Sequence, residues 1–165
     1  MRGKNNPYKV SYAQNREYVL LEGMLSHVKN GFYVDVGANH PIDDSVTYLF
    51  YKQGWTGINI EPIKELYELL STARPNDTNL NVGISNKKHT GTLRQYISRE
   101  GLSTFSADMK KEYEKNQKQD ADDKFIDVKV PMIPLSEVLS KYARSDIHFL
   151  KIDVEGLEFE VLQSN

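Results

Sequence analysis

The stretch GFYVDVGANHP, residues 31–41, decides the fold class because it runs from an apolar segment straight into a glycine turn. The segment FYVDV (32–36) has the length and the apolar content of a buried strand. Asp35 stands two places before Gly37, which opens the turn. In open α/β sheets, ligands collect outside the carboxyl ends of strands. The stretch therefore predicts a strand with a ligand site at its end.

On both sides of this strand, short apolar runs alternate with segments of helical spacing. The predicted strands are FYVDV (32–36), GINIE (57–61), TNLNVGIS (78–85), FIDVKVPMIP (125–134) and IHFLKIDVEG (147–156), with a further apolar run at TLRQYIS (92–98). The predicted helices lie within residues 11–31, 44–55, 62–74, 135–142 and 157–165. Strands separated by helices indicate a mainly parallel sheet with right-handed crossovers. The sequence thus predicts an α/β fold.

The length, the charge and the composition of the chain limit the kinds of protein that it can be. A chain of 165 residues suits one domain, and a net charge of −2 offers no basic field for nucleic acid or an anionic membrane. The lack of cysteine excludes disulfides and thiolate metal sites. Residues 1–10 lack the apolar core of a signal peptide, and no run approaches the roughly 18 apolar residues of a membrane span. We expect a soluble, cytoplasmic protein with neither a nucleic-acid partner nor a membrane span.

The domain is expected to cover residues 11–165, after a loose N-terminal segment at residues 1–10. Residues 105–124 are mostly charged and carry few apolar anchors. This composition indicates a solvated helix or a mobile excursion inserted into the fold. The sequence indicates no internal repeat and no second domain.

An acid at the end of the second strand points to a nucleoside. Glu61 follows Asp35 by 61 − 35 = 26 residues, the spacing of a helix plus a strand, and an acid there can accept hydrogen bonds from both ribose hydroxyls. The alternative is that Asp35 caps its turn and Glu61 favours the start of the next helix.

The glycine turn is a poor phosphate cradle. It lacks both G-x-G-x-x-G and Gly-Lys-Ser/Thr, and Pro41 removes an amide donor. S-adenosylmethionine carries no phosphate. It needs a close backbone approach, an acid near its amino-acid end and a carboxylate on its ribose. Asp35, Gly37 and Glu61 offer that combination.

A set of ordered strings is specific enough to indicate a family. The strings are GFYVDVGANHP, DSVT, FY, GWTGINIEP, RPND, GLST and HFLKIDVEGLEFEVL. From Ser11 to Leu162 the chain resembles the FkbM-type S-adenosylmethionine-dependent methyltransferases. The resemblance implies the Rossmann-like class I methyltransferase fold, a three-layer α/β sandwich. It also implies an O-methyltransferase that acts on a hydroxyl of a sugar, a glycan or a secondary metabolite.

The resemblance further implies where S-adenosylmethionine binds. Asp35 and Gly37 would lie beside its methionine part and Glu61 on its ribose, while Ser85 and Asn86 would lie near the adenine. The full set of predicted cofactor-binding residues is Asp35, Gly37, Ala38, Asn39, Glu61, Pro62, Ser85, Asn86 and Gln14.

Two departures from the family pattern stand out. In the opening motif SYAQNRE (11–17), the resemblance implies that Gln14 closes the cofactor pocket, yet Tyr18 follows where the family commonly carries an acid. A class I sheet also continues past EVLQSN (160–165) with at least one more helix and strand. We therefore expect a C-terminally incomplete domain that belongs to a larger parent chain or pairs through an open sheet edge as a homo-oligomer.

Acids at the end of the last predicted strand are the candidate catalytic groups. Asp153 and Glu155 stand two residues apart, and such residues share a face of an extended chain. A hydroxyl acceptor needs a base or a metal ion to remove its proton. We expect a base or acceptor-positioning role rather than a metal site, because two carboxylates are an incomplete ligand set. His40, beside the cofactor turn, is a second candidate base. A cap on the following helix is the structural alternative for the two acids.

Two other functions remain open at this point. In a nucleotide-sugar-dependent glycosyltransferase, Asp153 and Glu155 would be an acidic metal-binding pair, although no clear diphosphate-binding element is present. A non-catalytic remnant would bind S-adenosylmethionine, or serve only as an interaction module, without transferring a methyl group.

Overall fold

The computed structural model describes residues 12–13, 17–97, 99–116 and 124–165. The predictions for residues 1–10 and for Gln14, and the excursion from residue 117 to 123, lie outside the described residues. Within the described ranges, no helix has both the length and the apolar character needed to cross a membrane.

Helices and strands follow one another largely as the apolar pattern predicts. The helices are α1 (Glu17–Leu25), α2 (Tyr48–Lys52), α3 (Lys64–Ala73), α4 (Ala107–Asn116), α5 (Leu135–Tyr142) and α6 (Glu158–Gln163). The strands are β1 (Phe32–Val36), β2 (Thr56–Ile60), β3 (Thr78–Leu80), β4 (Gly83–Ile84), β5 (His89–Tyr96), β6 (Phe125–Ile133) and β7 (Phe149–Ile152). A short 3₁₀ turn spans Glu100–Leu102.

A four-stranded parallel sheet forms the centre of the fold. Its strand order is β3-β2-β1-β7, and each neighbouring pair runs parallel. All five residues of β1 are buried, as expected for a parallel strand that is covered on both faces. The predicted Rossmann-like α/β fold with a mainly parallel sheet is confirmed.

Helices cover the two faces of this sheet and complete three layers. On one face, α5 and α6 pack on the side chains of β1 and β2 that include Val34 and Ile58. On the other face, Tyr33 packs with Phe50 of α2, with Trp55 and with the apolar side of α1. Alternate side chains of β1 therefore pack into two separate cores, one on each face of the sheet. For this reason the whole strand is apolar apart from Asp35.

The predicted third strand divides into two strands of different sheets. Residues 78–80 form β3 of the central sheet, whereas residues 83–84 form β4 of a second sheet with the order β4-β6-β5. The chain turns at Asn81, whose side-chain amide donates to the backbone carbonyls of Glu61 and Pro62 at 3.0 Å each. These two bonds hold the chain beside the end of β2 at the point where it passes from the central sheet to the second sheet.

The pairing of β5 with β6 also departs from the sequence pattern. These strands are antiparallel over eight residue pairs, from His89–Met132 to Tyr96–Phe125. The segment that joins them contains α4, yet it does not act as a parallel crossover. A helix between two strands therefore does not by itself make the strands parallel. Their relative direction depends on the route that the connecting chain takes back to the sheet.

Candidate active site

The candidate site lies where three parallel strands end at one edge of the central sheet. The pairing register places the last residues of β1, β2 and β7 side by side. Gly37, Glu61 and Asp153 are the first residues after these strands. The structure thus brings together the three positions that the sequence singled out at strand ends.

Gly37 is required by the neighbouring strand end. Its φ of +77° is a conformation that L side chains rarely adopt, and a Cβ built on it would lie 1.9 Å from the carbonyl oxygen of Asp153. The amides of Gly37 and Ala38 both donate to the carbonyl of Ile60, at 3.0 and 3.1 Å. The glycine thus allows the turn after β1 to pack directly against the segment after β7.

Glu61 joins the glycine turn to the start of α3. Its carboxylate accepts the amide of Asn39 at 2.7 Å on Oε2 and the amide of Ile63 at 2.8 Å on Oε1. Burial raises the pKa of this carboxyl to about 7, and the two amides oppose that shift. Glu61 therefore holds both the glycine turn, through Asn39, and the start of α3, through Ile63. One lone pair on each oxygen remains for a ligand.

Asp35 is buried beneath the turn and holds the following loop. Its Oδ2 accepts the Thr47 hydroxyl at 2.8 Å. Its Oδ1 lies 3.2 Å from Nζ of Lys151, at an angle outside that of a hydrogen bond, and it accepts no hydrogen bond from the described residues. Asp35 is therefore fixed beneath the turn by the Thr47 hydroxyl and by the charge of Lys151.

Lys151 is a residue of the site that the sequence reasoning missed. It lies opposite Asp35 in the pairing of β1 with β7, donates to the carbonyl oxygen of Gly37 and lies 3.8 Å from the carboxylate of Asp153. A lysine inside an otherwise apolar strand is the signal that could have revealed it, because burying an ammonium requires partners.

Arg74 is a second missed residue, and it shapes the loop at residues 41–47. Its guanidinium is fully buried and donates to the carbonyl of Pro41 and to the hydroxyls of Ser45 and Thr47. Thr47 in turn donates to Asp35. RPND (74–77) is one of the strings that resemble the family, but the distant partners of Arg74 cannot be read from its neighbours in sequence.

A first cavity opens above the strand ends. It is small and open to solvent: its volume is about 80 Å³, below the range of about 300–1,000 Å³ usual for small-molecule sites. Its polar part is formed by Asn39, Glu61, Asp153 and Glu155, and Pro62 also lines it. Its apolar part is formed by Ile63, Leu66, Val82, Ile84, Leu93 and Phe105. The cavity therefore offers apolar contacts for a ring system and hydrogen-bonding groups for a polar part of a ligand.

A second, more polar cavity adjoins the first. The two share Asn39, Gly101, Asp153 and Glu155 in their walls. The other walls of the second cavity include Asp35, Ala38, Asp44, Ser45, Arg99 and Lys151. Two molecules that occupied the two cavities would therefore meet beside Asp153 and Glu155.

Asp153 and Glu155 both line the two cavities, but not as neighbours on an extended strand. β7 ends at Ile152, and Glu155 has a φ of +52°, so the predicted common face of the pair is wrong. The side chain of Asp153 is 64% exposed. Its carboxylate is thus open to a ligand that enters either cavity.

The charged segment that follows β5 contributes directly to the site. Tyr113 of α4 donates its hydroxyl to Oε2 of Glu155 at 2.7 Å, and Thr104 donates to the backbone carbonyl of Glu155, also at 2.7 Å. Burial, followed by the hydrogen bond to Glu155, raises the pKa of the Tyr113 hydroxyl. The described part of the predicted excursion is therefore bound to the acidic loop, which is residues 153–156 after β7.

Three predicted site residues lie away from the two cavities. Nδ1 of His40 accepts the amide of Asp43 at 3.0 Å, and His40 lines neither cavity. Ser85 donates to Oε1 of Glu160 at 3.2 Å, and with Asn86 it lines a different cleft. The division of the predicted third strand places Val82, Gly83 and Ile84 on the first cavity instead.

The described residues contain no group of three or more His, Cys, Asp or Glu that could hold a metal ion.

Comparison with known proteins identifies a domain family. A model of the methyltransferase FkbM domain matches residues 35–165, which is well over half of the chain. No curated protein and no solved structure matches the chain. The matched range contains each predicted site residue except Gln14.

Proposed function

Because the chain belongs to the methyltransferase FkbM domain family, we propose that it binds S-adenosylmethionine in the first cavity and methylates a hydroxyl group of a sugar, a glycan or a secondary metabolite. The observation that carries the proposal is the meeting of two cavities at Asp153 and Glu155, with Glu61 in the wall of the first. When bound, the cofactor supplies a methyl group on a positively charged sulfonium.

The residues of the first cavity suit the parts of this cofactor. Glu61 has lone pairs left for the ribose hydroxyls after it accepts two backbone amides. The apolar lining, with Ile63, Val82 and Phe105, suits the adenine ring. The acids of the lining suit a ligand that carries positive charge, because nearby carboxylates stabilise a cation.

The second cavity suits the acceptor. Its walls are rich in charged and hydroxyl groups, including Asp44 and Ser45, which favours a polyhydroxylated molecule over an apolar one. The loop that carries these two residues is tied to the buried Arg74. A fixed polar wall can orient one hydroxyl toward the shared boundary of the cavities, and such orientation is a main source of rate in group transfer.

We assign Asp153 as the base that accepts the proton of the acceptor hydroxyl. As the oxygen–carbon bond forms and the carbon–sulfur bond breaks, this proton must leave the oxygen. The carboxylate of Asp153 is open at the boundary of both cavities, whereas Glu155 is bonded to Tyr113. Glu155 is better suited to hold the acceptor in place. His40 remains a prediction from the sequence that its position at the turn does not support.

Calorimetric titration of the purified chain tests the proposal. S-adenosylmethionine and S-adenosylhomocysteine should each bind at one site, and uridine diphosphate glucose should not bind. Incubation with methyl-labelled cofactor and a panel of sugars, glycosides and phenols should then label hydroxylated acceptors. Binding of the nucleotide sugar alone would favour glycosyl transfer. Binding of neither ligand class would favour an interaction module.

A further inference from the structure

The ammonium of Lys151 stands at the edge of the proposed cofactor site without an assigned role. We propose that Lys151 binds the α-carboxylate of a nucleoside that carries an amino acid, and so makes the site selective for the whole zwitterion. The inference rests on the proposed function, because it concerns the amino-acid end of the same ligand. The family match and the sequence pattern assign nothing to this lysine.

The position of Lys151 places its charge where such a carboxylate would lie. Its Nζ donates to the carbonyl of Gly37, the residue that opens the turn of the candidate site. The side chain is 20% exposed and lines the second cavity beside its boundary with the first. A ligand whose nucleoside lies against Glu61 in the first cavity can thus extend its amino-acid end past Asp153 into the second cavity toward Nζ, so that the cofactor and the acceptor share the second cavity.

The donor count of Lys151 leaves room for an anionic ligand. An ammonium has three N–H donors. In the free chain one is used by Gly37, while Asp35 and Asp153 lie at 3.2 and 3.8 Å as ion pairs without hydrogen bonds to Nζ. The carboxylates hold the lysine in place, and the remaining donors can bind oxygen atoms of a ligand.

The acids around the two cavities are negatively charged, so a bound α-carboxylate needs a cationic partner from the protein. Asp35, Glu61, Asp153 and Glu155 all line the cavities, and these acids would repel a bare α-carboxylate. The same acids suit an α-ammonium. Among the described residues that line the two cavities, the lysine and arginine side chains are Lys151 and Arg99. Lys151 donates to the turn itself at Gly37, so the two charges of the zwitterion have separate partners.

Decarboxylated S-adenosylmethionine provides the decisive probe, because it keeps the sulfonium and the amine but lacks the carboxylate. By calorimetry, the natural chain should prefer S-adenosylmethionine over this analogue. In Lys151→Met the affinity for S-adenosylmethionine should fall on the order of 10- to 100-fold, as for the loss of a charged hydrogen bond. The affinity for the analogue should not fall, because the analogue has no carboxylate for the lysine to bind, and Lys151→Arg should retain much of the preference.

A matched variant controls for charge. Lys64→Met removes the same charge from a side chain that is 73% exposed on α3, and it should leave both affinities unchanged. If Lys151→Met weakens both ligands equally, the lysine has only a structural role and the inference is wrong. A gain in affinity for S-adenosylmethionine would also overturn it, since that result would mean that Lys151 competes with the ligand.

A measurement on the natural chain keeps the inference testable if Lys151→Met does not fold. Acylation of lysines by an amine-reactive reagent, mapped by mass spectrometry, should show Lys151 protected by saturating S-adenosylmethionine but not by saturating decarboxylated analogue. Equal protection by both ligands would contradict the inference. If neither ligand binds the natural chain, the proposed function itself fails, so the two failures are distinguishable.

Discussion

The carbonyl oxygen of Asp153 occupies the place where a side chain on Gly37 would begin, 1.9 Å from an ideal Cβ. The amide of Asp153 also donates to the carbonyl of Val36 at 3.0 Å. The turn after β1 and the segment after β7 are thus packed backbone against backbone. This contact sets the separation between the glycine turn and the carboxylate that we assign as the base.

Substituting Gly37 by alanine should destabilise the chain through this contact. The positive φ alone costs on the order of 1–3 kcal/mol for a residue with a Cβ, and the carbonyl of Asp153 must also move. Urea denaturation should show a fall in the free energy of unfolding of at least that size. Gly23→Ala is the matched control: a Cβ at Gly23, within α1, meets nothing within 4 Å, so it should be neutral or stabilising by up to about 1 kcal/mol. Equal effects at both positions would contradict the packing argument.

Glu61→Ala should weaken the binding of S-adenosylmethionine. The loss should be on the order of 1.5–3 kcal/mol, as for hydrogen bonds to a charged group. The variant also leaves the amides of Asn39 and Ile63 without their acceptor, so stability should fall as well. Calorimetric titration measures the first effect and urea denaturation the second. Glu65→Ala, in the exposed first turn of α3, should change neither. Unchanged cofactor affinity in Glu61→Ala would refute the ribose assignment.

The buried Glu61 should also make stability depend on pH. Its pKa rises from 4.5 to about 7 on folding, so the folded chain holds a proton that the unfolded chain releases. The contribution of Glu61 to the free energy of unfolding is therefore fully present below about pH 4.5 and is lost as the pH rises through 7. The loss amounts to up to about 3 kcal/mol. The difference in unfolding free energy between the natural chain and Glu61→Gln, measured from pH 4 to 8, isolates this group. A difference that does not change with pH would exclude the raised pKa.

Tyr113→Phe should loosen the acidic loop. The tyrosine hydroxyl donates to Glu155 at 2.7 Å across 42 residues of sequence, and losing this partly exposed bond should cost about 1 kcal/mol of stability. Tyr67→Phe is the control, because the Tyr67 hydroxyl makes no hydrogen bond to the described residues; it should leave stability unchanged. Amide hydrogen exchange at residues 153–156 should become faster only in Tyr113→Phe. Unaltered exchange there would show that α4 does not hold the loop.

Most of the central sheet could be predicted from local pattern. β1, β2 and β7 were found within one residue or a few residues of their ends, because a parallel strand covered on both faces reads as a continuous apolar run. Asp35, Glu61 and Asp153 could be placed at one edge for the same reason, since the carboxyl ends of parallel strands meet there. The second sheet was missed, because strand direction depends on how the chain returns and not on local composition.

The remaining parts of the site depend on partners that are distant in sequence. Lys151 meets Gly37 across 114 residues, and Arg74 meets Pro41 across 33. Their own segments, an apolar strand and a turn, carry no sign of which groups they contact. The cavity wall is formed by Val82 rather than by Ser85 where Asn81 bonds to the backbone carbonyls of Glu61 and Pro62. No periodicity records such a bond.

By itself, the sequence determined the α/β class, the strands that carry the acids and the expectation, at the glycine turn, of a phosphate-free nucleoside with a charged amino-acid tail. These properties follow from residue periodicity and from spacing along the chain. Only the tertiary structure decided that Gly37 makes room for Asp153, that Lys151 lies at the turn and that α4 holds Glu155. Each of these is a contact in space, which forms only when separate strands and helices have packed.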